Sequence, residues 1–139
     1  MKPFILFLIL SLNKGCSQET INFDTITIEY SAVSRRVQQN IKINNKTISV
    51  KNGQNKDVLK TNKTNWNSLV ATLQEIDIKA ISYLKAPSEK RFFDGAAIAN
   101  LTITYQDSVY KTSSFDHGNP PQEIAGLVKE ILSISKNIE

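Results

Sequence analysis

AAIANLTITYQ, residues 96–106, reads as a strand with two unlike faces. Ala97, Ala99, Leu101, Ile103 and Tyr105 fall on one side, and Asn100, Thr102 and Thr104 on the other. Side chains on a strand alternate with a period of two, so one face is built for a core and the other for water. That pattern belongs to an antiparallel sheet covered on one side only, and not to a parallel sheet buried on both. The covering layer must therefore come from helices elsewhere in the chain.

Downstream, Asp107-Ser108 reads as a hairpin turn into a strand over 109–115. The loop Asp116-His117-Gly118-Asn119-Pro120-Pro121 follows. Pro121 suits a first helical turn, where its missing N–H would have no intrahelical partner. Ile124, Leu127, Val128, Ile131, Leu132 and Ile134 then make one apolar helix face. Upstream, 21–33 alternates through Ile26, Ile28, Tyr30 and Ala32. Residues 34–43 continue in strand style, placing Arg35 and Arg36 on opposite faces, where they do not act as one basic clamp. Asn44-Asn45 is a turn that uses the tolerance of Asn for positive φ, 47–51 a strand, Asn52-Gly53 a turn and 58–61 a short strand.

At Thr64 the period changes. Trp66, Leu69, Val70 and Leu73 form a helical stripe with Thr64 or Asn65 as N-cap, and Trp66 on that stripe is a core residue. Ile76, Ile78, Ile81 and Leu84 form an apolar connector that fits either a strand or a helical turn, and 85–95 is a polar loop. The order β-β-β-β-α-β-β-α specifies an α+β two-layer sandwich, with two helices on one face of an antiparallel sheet of about six strands.

Residues 1–15 read as a signal peptide: Lys2 is a positive start, and Phe4 to Leu12 is apolar except for Ser11. A spanning helix needs roughly 20 apolar residues, so this run is too short to cross a bilayer. Gly15 precedes Cys16, the only cysteine, which becomes the expected lipid-attachment site with 16–20 as a lipidated tether and 21–139 as a single domain. Asn13 and Lys14 depart from the usual lipoprotein pattern of an apolar residue and small uncharged neighbours. Relaxed signals of this kind resemble those of Bacteroidota lipoproteins. The run Arg91-Phe92-Phe93-Asp94-Gly95-Ala96, the strand Leu101-Thr102-Ile103 and the segment Ser114-Phe115-Asp116-His117-Gly118 before Pro-Pro likewise resemble small lipoproteins of that group. The resemblance implies an exported, envelope-located protein anchored to the outer membrane through Cys16, and implies no activity.

Loss of the signal would remove Lys2 and Lys14, leaving 15 of the 17 basic residues against 13 acidic ones. The remaining basic residues are spread along the chain without a stripe, so no nucleic-acid partner is expected. No cofactor is expected, and one histidine with one cysteine cannot supply a structural zinc site.

Asp94, Asp116 and His117 are the candidate catalytic residues. Pairing through the 107–108 turn would set Phe115 near Asn100 and leave Asp116 and His117 beside Ala99 and Ile98, with Asp94 at the same sheet end. A carboxylate pair or His–Asp pair there could serve a small periplasmic hydrolase. The competing reading makes the same residues turn and cap groups that satisfy backbone N–H donors. With no nucleophile–base–orienter set, the expected function is non-catalytic: a binding module for a protein or glycan partner, of which an inhibitor or immunity-like lipoprotein is a special case. Intact mass spectrometry of the protein extracted from membranes should find a new N-terminus at Cys16 carrying diacylglycerol. A free Cys16 thiol would contradict the anchor.

Overall fold

The computed structural model describes residues 21–138; the expected signal peptide 1–15, the expected lipid-attachment site Cys16 and the expected tether 16–20 lie outside the described residues. Seven strands and two α-helices form the expected α+β sandwich. The strands are β1 (Thr27–Val33), β2 (Gln38–Ile43), β3 (Thr47–Asn52), β4 (Asn55–Lys60), β5 (Ile98–Tyr105), β6 (Ser108–Lys111) and β7 (Phe115–Asp116). All pairings are antiparallel, in the spatial order β4-β3-β2-β1-β5-β6, with β7 beside the other end of β5. The first four strands make a meander, and β5 returns to close the free side of β1.

Register carries the alternation across the sheet. Tyr30 lies between Ile41 and Leu101, and Ile28 between Ile43 and Ile103, all fully buried. Glu29 lies between Lys42 and Thr102 on the other face. Both helices, α1 (Lys63–Leu73) and α2 (Gln122–Lys136), join the apolar face in one core. Trp66, Leu69 and Leu73 enter it from α1, and Ile124, Leu127, Val128, Ile131 and Ile134 from α2. Burying each large aliphatic side chain contributes about 1.5–3 kcal/mol. Among the described residues, neither α-helix lies over the polar face.

Local chemistry adjusts the boundaries. Residues Phe23–Thr25 form a 3-10 turn, so β1 begins at Thr27 instead of residue 21. Asn62 is the N-cap of α1: its side-chain oxygen accepts from Asn65 N at 2.7 Å, a role expected of Thr64 or Asn65. The Asn44 turn uses no positive φ; Asn44 Oδ1 accepts from the backbone N–H groups of Lys46 and Thr47 at 2.9 and 2.8 Å. Ile78–Tyr83 is a 3-10 helix started by Asp77, and it buries Ile78 and Ile81, which settles the connector as helical. The β5–β6 turn is Gln106-Asp107, with Gln106 at φ 54°.

The expected continuous strand over 109–115 is broken in two. Thr112 N donates to Leu101 O at 3.0 Å, and Leu101 N donates back to the Thr112 hydroxyl at 3.1 Å instead of to a carbonyl. Asn100 Nδ2 donates to Thr112 O. After this interruption Phe115 faces Ala99 and Asp116 faces Ile98, one place along from the expected register.

Two face assignments are open to measurement. Ile103→Ala should lower unfolding free energy by about 2–5 kcal/mol, while Thr104→Ala on the open face should stay within about 0.5 kcal/mol, by urea denaturation. Gly126 sits inside α2, where an added Cβ would meet only the Thr72 methyl at 4.0 Å. Gly126→Ala should therefore stabilise by about 0.5–1 kcal/mol.

Candidate functional site

The hinge of this region is the alternation at Phe115, Asp116 and His117. Phe115 is buried against Tyr30, with ring centroids 6.3 Å apart. His117 returns to the same side, its Nδ1 2.7 Å from the Tyr30 hydroxyl and its N–H donating to Ala97 O at 2.9 Å. Asp116, between them, takes the opposite side. Chain neighbours therefore diverge, and the Asp116 carboxylate has no hydrogen bond to the imidazole.

Asp116 is buried and fully engaged. Its Oδ2 accepts from the Ser88 hydroxyl at 2.6 Å and Lys90 N at 2.8 Å; its Oδ1 accepts from Arg91 N at 3.0 Å and Arg91 Nη1 at 3.1 Å. The 3-10 turn Lys90–Phe93 thus presents its first N–H groups to a carboxylate, a capping arrangement closed by an ion pair. Arg91 is spread over further acceptors: Nη1 also donates to Ser88 O at 2.6 Å, and Nε to the Ser114 hydroxyl at 3.1 Å. Its guanidinium lies 4.3 Å from the centre of the Phe92 ring. Asn119 Nδ2 ties Ser88 Oγ to the next loop at 2.7 Å.

Asp94 ends the same turn with φ 57°, exposed to solvent, and has no hydrogen bond to Asp116 or His117. The structure thus brings Asp116 and His117 to one sheet end but joins each to a different partner, and leaves Asp94 at the rim.

Protonation follows from these surroundings. Burial alone would raise the Asp116 carboxyl, but the hydrogen bonds from Ser88, the Arg91 backbone and side chain, and Lys90 N hold it well below the usual carboxylate range. Burial raises the Tyr30 phenol, which keeps its proton, and lowers His117 from its ordinary 6.5, which keeps the imidazole neutral at pH 7. With the phenol assigned as donor, Nδ1 accepts and the ring proton resides on Nε2. Among the described residues no three His, Cys, Asp or Glu side chains are grouped to hold a metal ion.

Comparison with protein-family models, with curated proteins and with solved structures finds no match. The chemistry of the site therefore rests on its own geometry.

Arg35 and Arg36 are the residues whose arrangement differs most from expectation. They do not lie on a strand but in the turn Ser34–Arg36, where Ser34 Oγ accepts from Arg36 N at 3.2 Å and Val37 N at 3.0 Å. Freed from the alternation of a strand, both line the same groove as His117, a space of about 490 Å³. Ser34, whose hydroxyl competes for backbone N–H groups, was the signal for this turn.

The unfolded chain binds more protons than the folded one between the lowered His117 value and 6.5, and again between the lowered Asp116 value and 3.8. Stability should then fall as pH drops below about 6.5 and fall again below about 3.8, by thermal melts from pH 8 to 3. His117→Gln should remove only the first decline. Asp116→Ala should lower Tm by on the order of 10 °C, while Asp94→Asn should leave it nearly unchanged.

Proposed function

We propose that this chain is a non-catalytic binding module of the cell envelope, exported by residues 1–15 and anchored to the outer membrane by lipid on Cys16. The observation that carries the non-catalytic reading is the Asp116 carboxylate. Each of its oxygens already accepts two hydrogen bonds, so no lone pair is positioned to draw a proton from a substrate or a water. His117 likewise spends Nδ1 on buried Tyr30, so no carboxylate orients it as a general base.

The uncovered sheet face supports a protein or glycan partner. Gln38, Asn40, Lys42, Asn100, Thr102 and Thr104 lie on it, half-buried or exposed, with no α-helix over them among the described residues. Such a face offers hydrogen-bond donors and acceptors on rigid strands, which suits recognition without chemistry.

Purified full-length protein should show no turnover above buffer on ester, glycoside and peptide substrates. Turnover abolished by His117→Ala would replace this reading with that of a small hydrolase using Asp94, Asp116 and His117. Membrane association in cells should be lost on Cys16→Ser.

A further inference from the structure

Between residues 30 and 74 the chain has eight basic residues and one acidic residue, Asp57. The fold places four of these eight, Lys42, Lys51, Lys56 and Lys60, on the open sheet face. Lys42, Lys51, Lys56, Lys60 and Lys111 share the open face with a single carboxylate, Glu29, and that one accepts a hydrogen bond from Asn40 Nδ2 at 2.7 Å.

At the β1–β2 end this basic face runs into a trough. The groove lined by Arg35, Arg36, Gln38, Gln39, Gly53 and His117, of about 490 Å³, adjoins a second depression of about 210 Å³. Gln38, Gln39 and Gly53 line both, and Lys51 borders the second. On its far side Arg35 and Arg36 also line a depression of about 410 Å³ running to Asp94 and Ala97. Neither arginine has an ion-pair or hydrogen-bond partner for its guanidinium among the described residues, and the Gln38 and Gln39 amides are likewise without partners there. Two forked cations and two amides thus line adjoining depressions, while the remaining arginine, Arg91, is consumed by Asp116.

We infer that this trough binds an acidic polysaccharide, an inference that rests on the binding-module reading above and names its ligand class. Guanidinium groups pair bidentately with carboxylate or phosphate oxygens. Amide side chains, carrying both donors and acceptors, match the paired roles of sugar hydroxyls. A linear polymer suits a row of adjoining depressions better than a single small anion does. Single-stranded nucleic acid carries the same charge, but it is held by aromatic platforms for its bases. Apart from the His117 imidazole, which is tied to Tyr30, no ring lines the three depressions; the exposed Phe92 and Phe93 are not among their lining residues.

Isothermal titration of the full-length chain with oligogalacturonate, a dextran oligomer of equal length and a DNA single strand of equal charge tests the inference. The acidic oligosaccharide should bind, more weakly as salt is raised, and dextran should not. The double variant Arg35→Gln, Arg36→Gln should weaken binding at least about tenfold with an unchanged melting temperature. Equal binding by the double variant, tighter binding of the DNA, or no binding of oligogalacturonate would overturn the inference. Dextran binding as tight as oligogalacturonate would overturn the acidic specificity while leaving a glycan-binding module. Appearance of shortened oligogalacturonate in the cell would overturn both the inference and the binding-module reading beneath it.

Discussion

Strand β1 is hydrogen-bonded along both edges and buries every second side chain, and from that one constraint the rest of the molecule follows. Ile28, Tyr30 and Ala32 must face hydrocarbon, so their cross-strand partners on β2 and β5 must do so as well. The helices are then required on that side and absent from the other. The same period of two governs the sheet end. It turns Phe115 and His117 toward Tyr30 and turns Asp116 away, which separates two residues that a reading of the chain sets side by side.

Asp116 shows how a buried charge can act as a positional device. Removing a carboxylate from water is costly, and here the cost is offset by four donors, three of them from the single turn at 90–91. The loop over 85–95 has few apolar residues to hold it down. Its position is set by geometry-demanding hydrogen bonds instead, so Phe92 and Phe93 remain outside while Arg91 is drawn in.

The fold class was legible because apolar residues are placed with a period of two in 26–32 and 97–103 and with helical spacing in 66–73 and 124–134. Turn chemistry was less so. Whether Asn44 bends the chain through its own φ or through its side-chain oxygen, and whether Ser34 interrupts a strand, depends on hydrogen bonds that several arrangements of the same residues could make. The site suffered most from this. A strand would put Arg35 and Arg36 on opposite faces, and a single hydroxyl places them in one turn. Asp116 was visible as a candidate, but its partners Ser88, Lys90 and Arg91 lie more than twenty residues away, and no local pattern announces them.

The interruption at Thr112 has an arithmetic consequence. On β6 the even-numbered residues face the core, as Tyr110 does opposite Ile103; on β7 the odd-numbered ones do, as Phe115 does opposite Ala99. The short excursion between them is a change of parity, and the Thr112 hydroxyl, standing in for a carbonyl, is where the count is reset. Adding or deleting one residue there would carry a charge into hydrocarbon and a phenyl ring into water, whereas a change of two would preserve both. The length of this excursion is thus constrained to odd or even rather than to long or short.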